Sequence, residues 1–256
     1  MSDHGRFIWY ELMTPDIAGA KAFYGDVVGW TATKMPGDME YWVLEADGLG
    51  VGGVMLLGEE HKAQGIPPNW TGYVAVDDCD AAAQKATSLG GSVMREPQDI
   101  PGIGRFAIVA DPTGAVFAIM KPVPPENSRP KPAEGALGHT GWRELYSGPP
   151  DTTFLFYAGL FGWTRDEAHD MGPMGVYQLF SNQDGQVGGM MKRPDNVPAA
   201  CWLYYFKIGD IDAAAGRVKA GGGQVLNGPM ETPGGDWVLQ GMDPQGAMFC
   251  LMGKKG

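Results

Sequence analysis

Residues 7–120 of this chain are written twice. Trp9-Tyr10-Glu11-Leu12 returns as Trp142-Arg143-Glu144-Leu145, 133 positions on. Phe23-Tyr24 returns as Phe156-Tyr157 and Gly29-Trp30-Thr31 as Gly162-Trp163-Thr164 at the same spacing. Val51-Gly52-Gly53 returns as Val187-Gly188-Gly189, 136 positions on, so a short insertion lies between. Asp111-Pro112-Thr113-Gly114 returns as Asp243-Pro244-Gln245-Gly246, 132 positions on. An offset held through half a chain does not come from composition. It means two copies of one fold, and any proposed site can be checked against its twin.

Each copy divides again. Residues 6–13 alternate and read as a strand. Thr14-Pro15-Asp16 then supplies a cap, a proline at the first helical position and an acid in the first turn, so a helix begins there. Ala18, Ala22, Phe23 and Val27 share one face, and Gly29 ends the helix. Strands follow near 30–35, 41–46 and 51–57. The second quarter repeats the order: a strand at 71–76, a helix at 78–89 opened by Asp78 and closed by Gly90-Gly91, then strands near 92–95, 105–110 and 116–120. The third and fourth quarters copy the first two. The expected architecture is α+β, four βαβββ units in two tandem domains, 1–121 and 139–256. Between them lies a linker, 122–138, in which Pro122, Pro124, Pro125, Pro130 and Pro132 forbid helix.

The formal net charge is −11, which argues against nucleic-acid and anionic-lipid partners, since both demand a basic face. Hydrophobic content of 44% is ample for two cores. Cys79, Cys201 and Cys250 form no CxxC pair and read as reduced, mostly buried thiols of a cytoplasmic protein. The opening MSDHGRFIWYEL lacks a basic stretch followed by an apolar run, so no signal peptide is expected. No apolar run is long enough to cross a bilayer.

The order strand, Asp-x-x-x-Ala-x-x-Phe-Tyr-x-x-x-x-Gly-Trp, three strands, then Asp-Pro-x-Gly before a final strand resembles the vicinal oxygen chelate superfamily. That group includes glyoxalase I, bleomycin resistance proteins and extradiol dioxygenases. The carriers are Asp16, Phe23-Tyr24, Gly29-Trp30 and Asp111 to Gly114, with Phe156-Tyr157, Gly162-Trp163 and Asp243 to Gly246 in the second copy. The Trp-x-Glu-Leu strand is similar to that of duplicated glyoxalase-like bacterial proteins. The resemblance implies paired βαβββ units curved around a ligand, often with a divalent metal held by His and Glu. Its ligand positions fall on Trp9 and Trp142, on Thr71 and Leu203, and on Ala118 and Cys250. Those side chains do not make a metal set, so no metal and no other cofactor is expected. His4, His61, His139 and His169 do not restore one. The run Asp166, Glu167, His169, Asp170 reads as a solvated loop cluster.

Residues two apart on a strand face the same way, so Trp9 and Glu11 share one face, as do Trp142, Glu144 and Tyr146. A carboxylate beside tryptophan, away from water, is a candidate acid, base or ligand acceptor, which makes Glu11 and Glu144 the candidate catalytic residues. Either could instead serve the fold by bonding backbone amides or an arginine such as Arg105. Candidate ligand-binding aromatics are Trp9, Trp142, Tyr41, Trp42, Tyr73, Phe106, Tyr177 and Tyr205. Trp30 and Trp163 read as packing residues. Gly52-Gly53 and Gly188-Gly189 suggest a bulge or a close backbone approach. Residues 99–105 and 231–236 read as turns, with closure over a cavity mouth as the rival. The expected partner is a small-molecule ligand, bound without turnover as in the bleomycin-resistance branch. The alternatives are a lyase- or dioxygenase-type enzyme using Glu11, Glu144 or an unorthodox metal site, and a scaffold with vestigial pockets. A homodimer stays open.

Overall fold

A computed structural model describes residues 2–37, 40–123 and 136–256. Most of the proline-rich linker, 124–135, lies outside the described residues. The four βαβββ units are present in order. The first is β1 (Phe7–Thr14), α1 (Ile17–Val28), β2 (Thr31–Lys34), β3 (Tyr41–Ala46) and β4 (Leu49–Leu56). A short helix, α2 (Glu59–Ala63), follows it. The second is β5 (Asn69–Ala75), α3 (Cys79–Ser88), β6 (Ser92–Ile100), β7 (Gly104–Ala110) and β8 (Val116–Pro122). The third is β9 (Thr140–Ser147), α4 (Pro150–Phe161), β10 (Thr164–Asp170), β11 (Val176–Asn182) and β12 (Gly185–Lys192). The fourth is β13 (Cys201–Asp210), α5 (Ile211–Ala220), β14 (Gln224–Glu231), β15 (Trp237–Met242) and β16 (Met248–Lys254).

Two eight-stranded sheets result, in the orders β2-β3-β4-β1-β5-β8-β7-β6 and β10-β11-β12-β9-β13-β16-β15-β14. Within each quarter the first and last strands pair parallel and the remaining neighbours antiparallel. The helix between first and second strands permits that parallel return.

Local signals explain most element ends. Gly29 and Gly162 close α1 and α4 at φ 92° and 71°, a region that costs glycine nothing. Asp78 and Asp210 cap α3 and α5 through side-chain bonds to backbone N–H groups. Two expectations are corrected. The cap of α1 is Asp16, whose Oδ1 accepts from Gly19 N at 3.0 Å, while Thr14 is the last residue of β1. Residues 166–170 are strand, not loop: β10 is a sheet edge whose order comes from pairing with β11, so it shows no apolar alternation. Residues 101–103 and 232–236 are hairpin turns, the latter closed by Thr232 N donating to Asp236 O at 2.8 Å.

Tertiary contacts divide the chain into two compact units that are not the sequence halves. One takes Met1–Ile8, Thr71–Pro130 and Trp142–Trp202; the other takes Trp9–Trp70, Lys131–Gly141 and Leu203–Gly256. Each therefore combines a quarter from each half, and each has its own aromatic core. In the first unit Phe117, Phe156, Tyr157, Phe161, Trp163 and Trp202 are buried, with Tyr157 stacked on Trp163 at 5.4 Å. In the second Phe23, Tyr24, Trp30, Trp70, Phe206 and Phe249 are buried. Burying one such ring contributes about 1.5–3 kcal/mol.

A matching polar lock sits in each core. Tyr24 Oη donates to Asp243 Oδ2 at 3.0 Å and accepts from Trp70 Nε1 at 2.8 Å. Tyr157 Oη donates to Asp111 Oδ2 at 2.9 Å and accepts from Trp202 Nε1 at 3.2 Å. The other carboxylate oxygen closes the Asp-Pro-x-Gly turn by accepting from Thr113 and Ala115 N, or from Gln245 and Ala247 N. Trp30 and Trp163 are buried packing residues that donate to Gly138 O and Gly5 O at 2.7 and 2.8 Å. The repeated motifs thus hold the quarters of each unit together.

Candidate functional site

In the unit holding β1–β4, Leu12, Val54 and Trp42 pair in one row beneath α1, where Lys21 Nζ sits 3.0 Å from the Trp42 ring centre. Trp9, Glu11 and Tyr41 occupy the opposite face, so Trp42 is not among them. Trp9 Nε1 donates to Tyr41 Oη at 2.8 Å, and the phenol O–H in turn donates a hydrogen bond to the Glu11 carboxylate. Burial first, and the Glu11 charge second, raise the Tyr41 phenol far above its ordinary range. It therefore stays protonated and acts as a donor to the carboxylate.

The second copy repeats this in the other unit. Trp142 Nε1 donates to Tyr177 Oη at 2.9 Å, and Tyr177 donates to Glu144. Burial and then the Glu144 charge hold that phenol up as well. Glu144 is buried and Glu11 half-buried. The register explains the geometry. Glu11 and Val43 both face Gly53, with Tyr41 two residues from Val43; Glu144 and Leu179 both face Gly189, with Tyr177 two residues from Leu179. A Cβ on Gly53 would overlap the Tyr41 hydroxyl, and one on Gly189 would overlap the Tyr177 ring. Both glycines let a tyrosine cross the strand to reach the glutamate, and both β3–β4 and β11–β12 carry a register shift nearby. Arg105 does not reach either glutamate. Its Nε and Nη2 grip Asp80 at 2.7 and 2.8 Å, and Nη1 meets Asp99 at 3.1 Å.

The C-terminal quarter of each half carries other chemistry. Tyr73, Ala118, Ile108 and Arg95 pair in one row, with Phe106 two residues from Ile108 on the same face. The Tyr73 and Phe106 ring centres are 6.2 Å apart, and the Arg95 guanidinium lies 5.4 Å above the Phe106 ring. With the Gln98 amide oxygen turned toward it, Arg95 donates through Nε and Nη2 at 2.7 Å each. The opposite face holds Phe117 against Phe156 and Tyr157 of α4. The corresponding row in the fourth quarter is Tyr205, Cys250 and Gln240, in which Gln240 Nε2 donates to Tyr205 Oη at 3.0 Å. Sequence reasoning missed Arg95 and Gln98. The available signal was their failure to recur, since Asn227 and Met230 stand at the equivalent places.

A metal does not fit the positions the resemblance points to. Ala118 and Cys250 are buried in register beside Tyr73 and Tyr205. Transition ions need several converging N, O or S donors, and Trp9, Trp142, Ala118 and Leu203 offer none. Among the described residues no group of three or more His, Cys, Asp or Glu could hold a metal ion. Cys79 and Cys250 are buried, Cys201 is half-buried, and none of the three forms a disulfide among the described residues. No helix among the described residues is long and apolar enough to cross a membrane.

The chain is 32% identical over 250 residues to "Putative glyoxylase CFP32" of Mycobacterium bovis, covering 95% of this chain and 93% of that protein. It is 32% identical over 262 residues to "Anthracycline biosynthesis protein DauV" of Streptomyces sp. strain C5, covering 97% and 93%. In fold it is similar to 2,2',3-trihydroxybiphenyl 1,2-dioxygenase of Sphingomonas wittichii RW1, with a TM-score of 0.67 at 14% identity over 99% of this chain and 91% of that one. The family model described as glyoxalase/bleomycin resistance protein/dioxygenase superfamily matches residues 6–119 and again 136–251. The chain belongs to the glyoxalase/bleomycin resistance protein/dioxygenase superfamily, which it carries in two tandem copies.

Proposed function

We propose that this protein binds a small organic molecule against the glutamate-bearing sheet faces, without the divalent metal common in the superfamily. The observation that carries the reading is the duplicated Trp–Tyr–Glu chain, in which an indole N–H and a phenol O–H are both committed to fixing one carboxylate. A carboxylate held this way is a directed acceptor for a ligand O–H or N–H. The tryptophan beside it is half-buried in both copies and gives a flat apolar surface. The names of the relatives, a glyoxylase and an anthracycline biosynthesis protein, concern small organic compounds and support the same direction.

A second reading keeps the site and adds turnover. Glu11 or Glu144 would take a proton from a bound ligand and return it, with the tyrosine donating to the carboxylate throughout. One experiment separates the two. Protein purified without chelator is assayed for metal content, then screened with small organic compounds by tryptophan fluorescence. Binding in metal-free protein that weakens in Glu11→Gln or Glu144→Gln supports the binder. Product formation lost in the same variants supports the enzyme. A stoichiometric transition metal, or binding indifferent to both substitutions, overturns the proposal.

A further inference from the structure

We infer that Arg95 is an anion-recognition residue, which equips only the first copy to take small carboxylates. The inference rests on the small-molecule reading and adds a ligand class to it. Strand β6 is an edge strand that bulges twice, once on each side of Arg95: Val93 faces Val109, Arg95 faces Ile108, and Gln98 faces Phe106. Bulges re-aim side chains, and these put Arg95 and Gln98 on the same face as Phe106 and Tyr73, away from the helices. Strand β14 repeats both bulges, with Val225 facing Gly241, Asn227 facing Gln240 and Met230 facing Val238. The backbone device is therefore duplicated, while its chemistry is not. Arg95, Gln98 and Phe106 are replaced by Asn227, Met230 and Val238.

The retained trio is a preorganised cation. The Phe106 face supports the guanidinium, and Gln98 occupies its Nε and Nη2 hydrogens on one edge. Three N–H donors are left, including the end-on pair of Nη1 and Nη2, the fork that matches a carboxylate. Arg95 is exposed and has no carboxylate partner among the described residues, although the protein carries a net charge of −11. Arg105, ten residues on in sequence, shows the contrast: it is neutralised by Asp80 and Asp99. An exposed, unneutralised arginine held over the buried Phe106 ring selects an anion, and its end-on fork selects a carboxylate.

The test uses the full chain with two probes, benzoate and its neutral isostere benzamide, followed by NMR titration of aromatic and arginine side-chain signals. Benzoate should shift Phe106 and the Arg95 Nε–H and should weaken with added salt. Arg95→Gln should weaken benzoate about tenfold or more and leave benzamide within about twofold. Arg95→Lys should restore part of the loss, because it keeps the charge without the fork. Thermal melting of each variant checks that the fold is intact. Equal binding of the two probes, or benzoate binding unaffected by Arg95→Gln, overturns the inference. If benzamide alone binds and shifts Trp9 or Trp142, the small-molecule reading survives and the role of Arg95 falls. If neither probe binds, the role of Arg95 falls, and the small-molecule reading is judged by the Glu11→Gln and Glu144→Gln screen alone.

Discussion

Replacing Tyr24 by phenylalanine removes one hydroxyl and leaves two buried groups without their partner. Asp243 Oδ2 loses a donor at 3.0 Å and Trp70 Nε1 loses an acceptor at 2.8 Å. Tyr24 is fully buried and Asp243 nearly so, so water does not readily substitute. A bond to a charged group contributes about 1.5–3 kcal/mol, and an orphaned buried N–H costs about 1–3 kcal/mol. Tyr24→Phe should therefore destabilise by about 3 kcal/mol, a drop of about 6–12 °C in Tm for a chain of this size. The loss should also depend on pH. Burial raises the Asp243 carboxyl above its ordinary range, and the Tyr24 bond works against that rise. A carboxyl raised in the folded state contributes stability below its unfolded value of about 3.9, and loses it as pH climbs through the folded value. Without Tyr24 the folded value climbs further, so the deficit should be larger at pH 7 than at about pH 4, close to the unfolded value. Urea melts followed by near-ultraviolet circular dichroism at both pH values measure it. A loss under about 1 kcal/mol, or one identical at the two pH values, refutes the argument. Tyr157→Phe is the built-in control, since it removes the matching bond to Asp111.

Gly53→Ala and Gly189→Ala should each push a tyrosine off its glutamate, because the new methyl falls on the Tyr41 hydroxyl or the Tyr177 ring. Overpacking of this kind costs about 1–3 kcal/mol, and Trp9 or Trp142 emission should shift as its indole loses the phenol; unchanged emission and stability would contradict the close approach. Burial first, and the Glu144 charge second, push the Cys201 thiol up to about 11. Alkylation should therefore be slow near neutral pH and accelerate toward that value, because the thiolate is the reactive form; rapid labelling at neutral pH would refute the assigned surroundings.

Much of the fold was legible because its signals are local. Gly29 and Gly162 announce helix ends through their backbone freedom, and Asp78 and Asp210 announce starts through their side-chain oxygens. The paired glycines announced a close approach, and Tyr41 and Tyr177 are what approaches. Strand β10 was not legible, since an edge strand exposed on nearly every residue has no apolar alternation to read. Thr14-Pro15-Asp16 offers two capping residues, and only the position of the first turn selects Asp16 over Thr14. Of the candidate site, Trp9 with Glu11 and Trp142 with Glu144 followed from period-two alternation. Their phenol partners did not, because Tyr41 and Tyr177 lie about 30 residues away and reach across a strand. Arg95 escaped because two bulges break the alternation that would have placed it beside Phe106.

Four βαβββ units and their order can be read along the chain, since periodicity, caps and turn glycines act over a few residues. Which quarters share a core is a matter of long-range packing. By sequence, Tyr24 suits the turn at Asp111 as well as the turn at Asp243, because duplication made the two turns equivalent. Burial settles the choice: Tyr24 bonds Asp243 and Tyr157 bonds Asp111, so each core is closed by residues from both halves. Long-range partners of this kind carry no local signature, and packing alone selects between identical motifs.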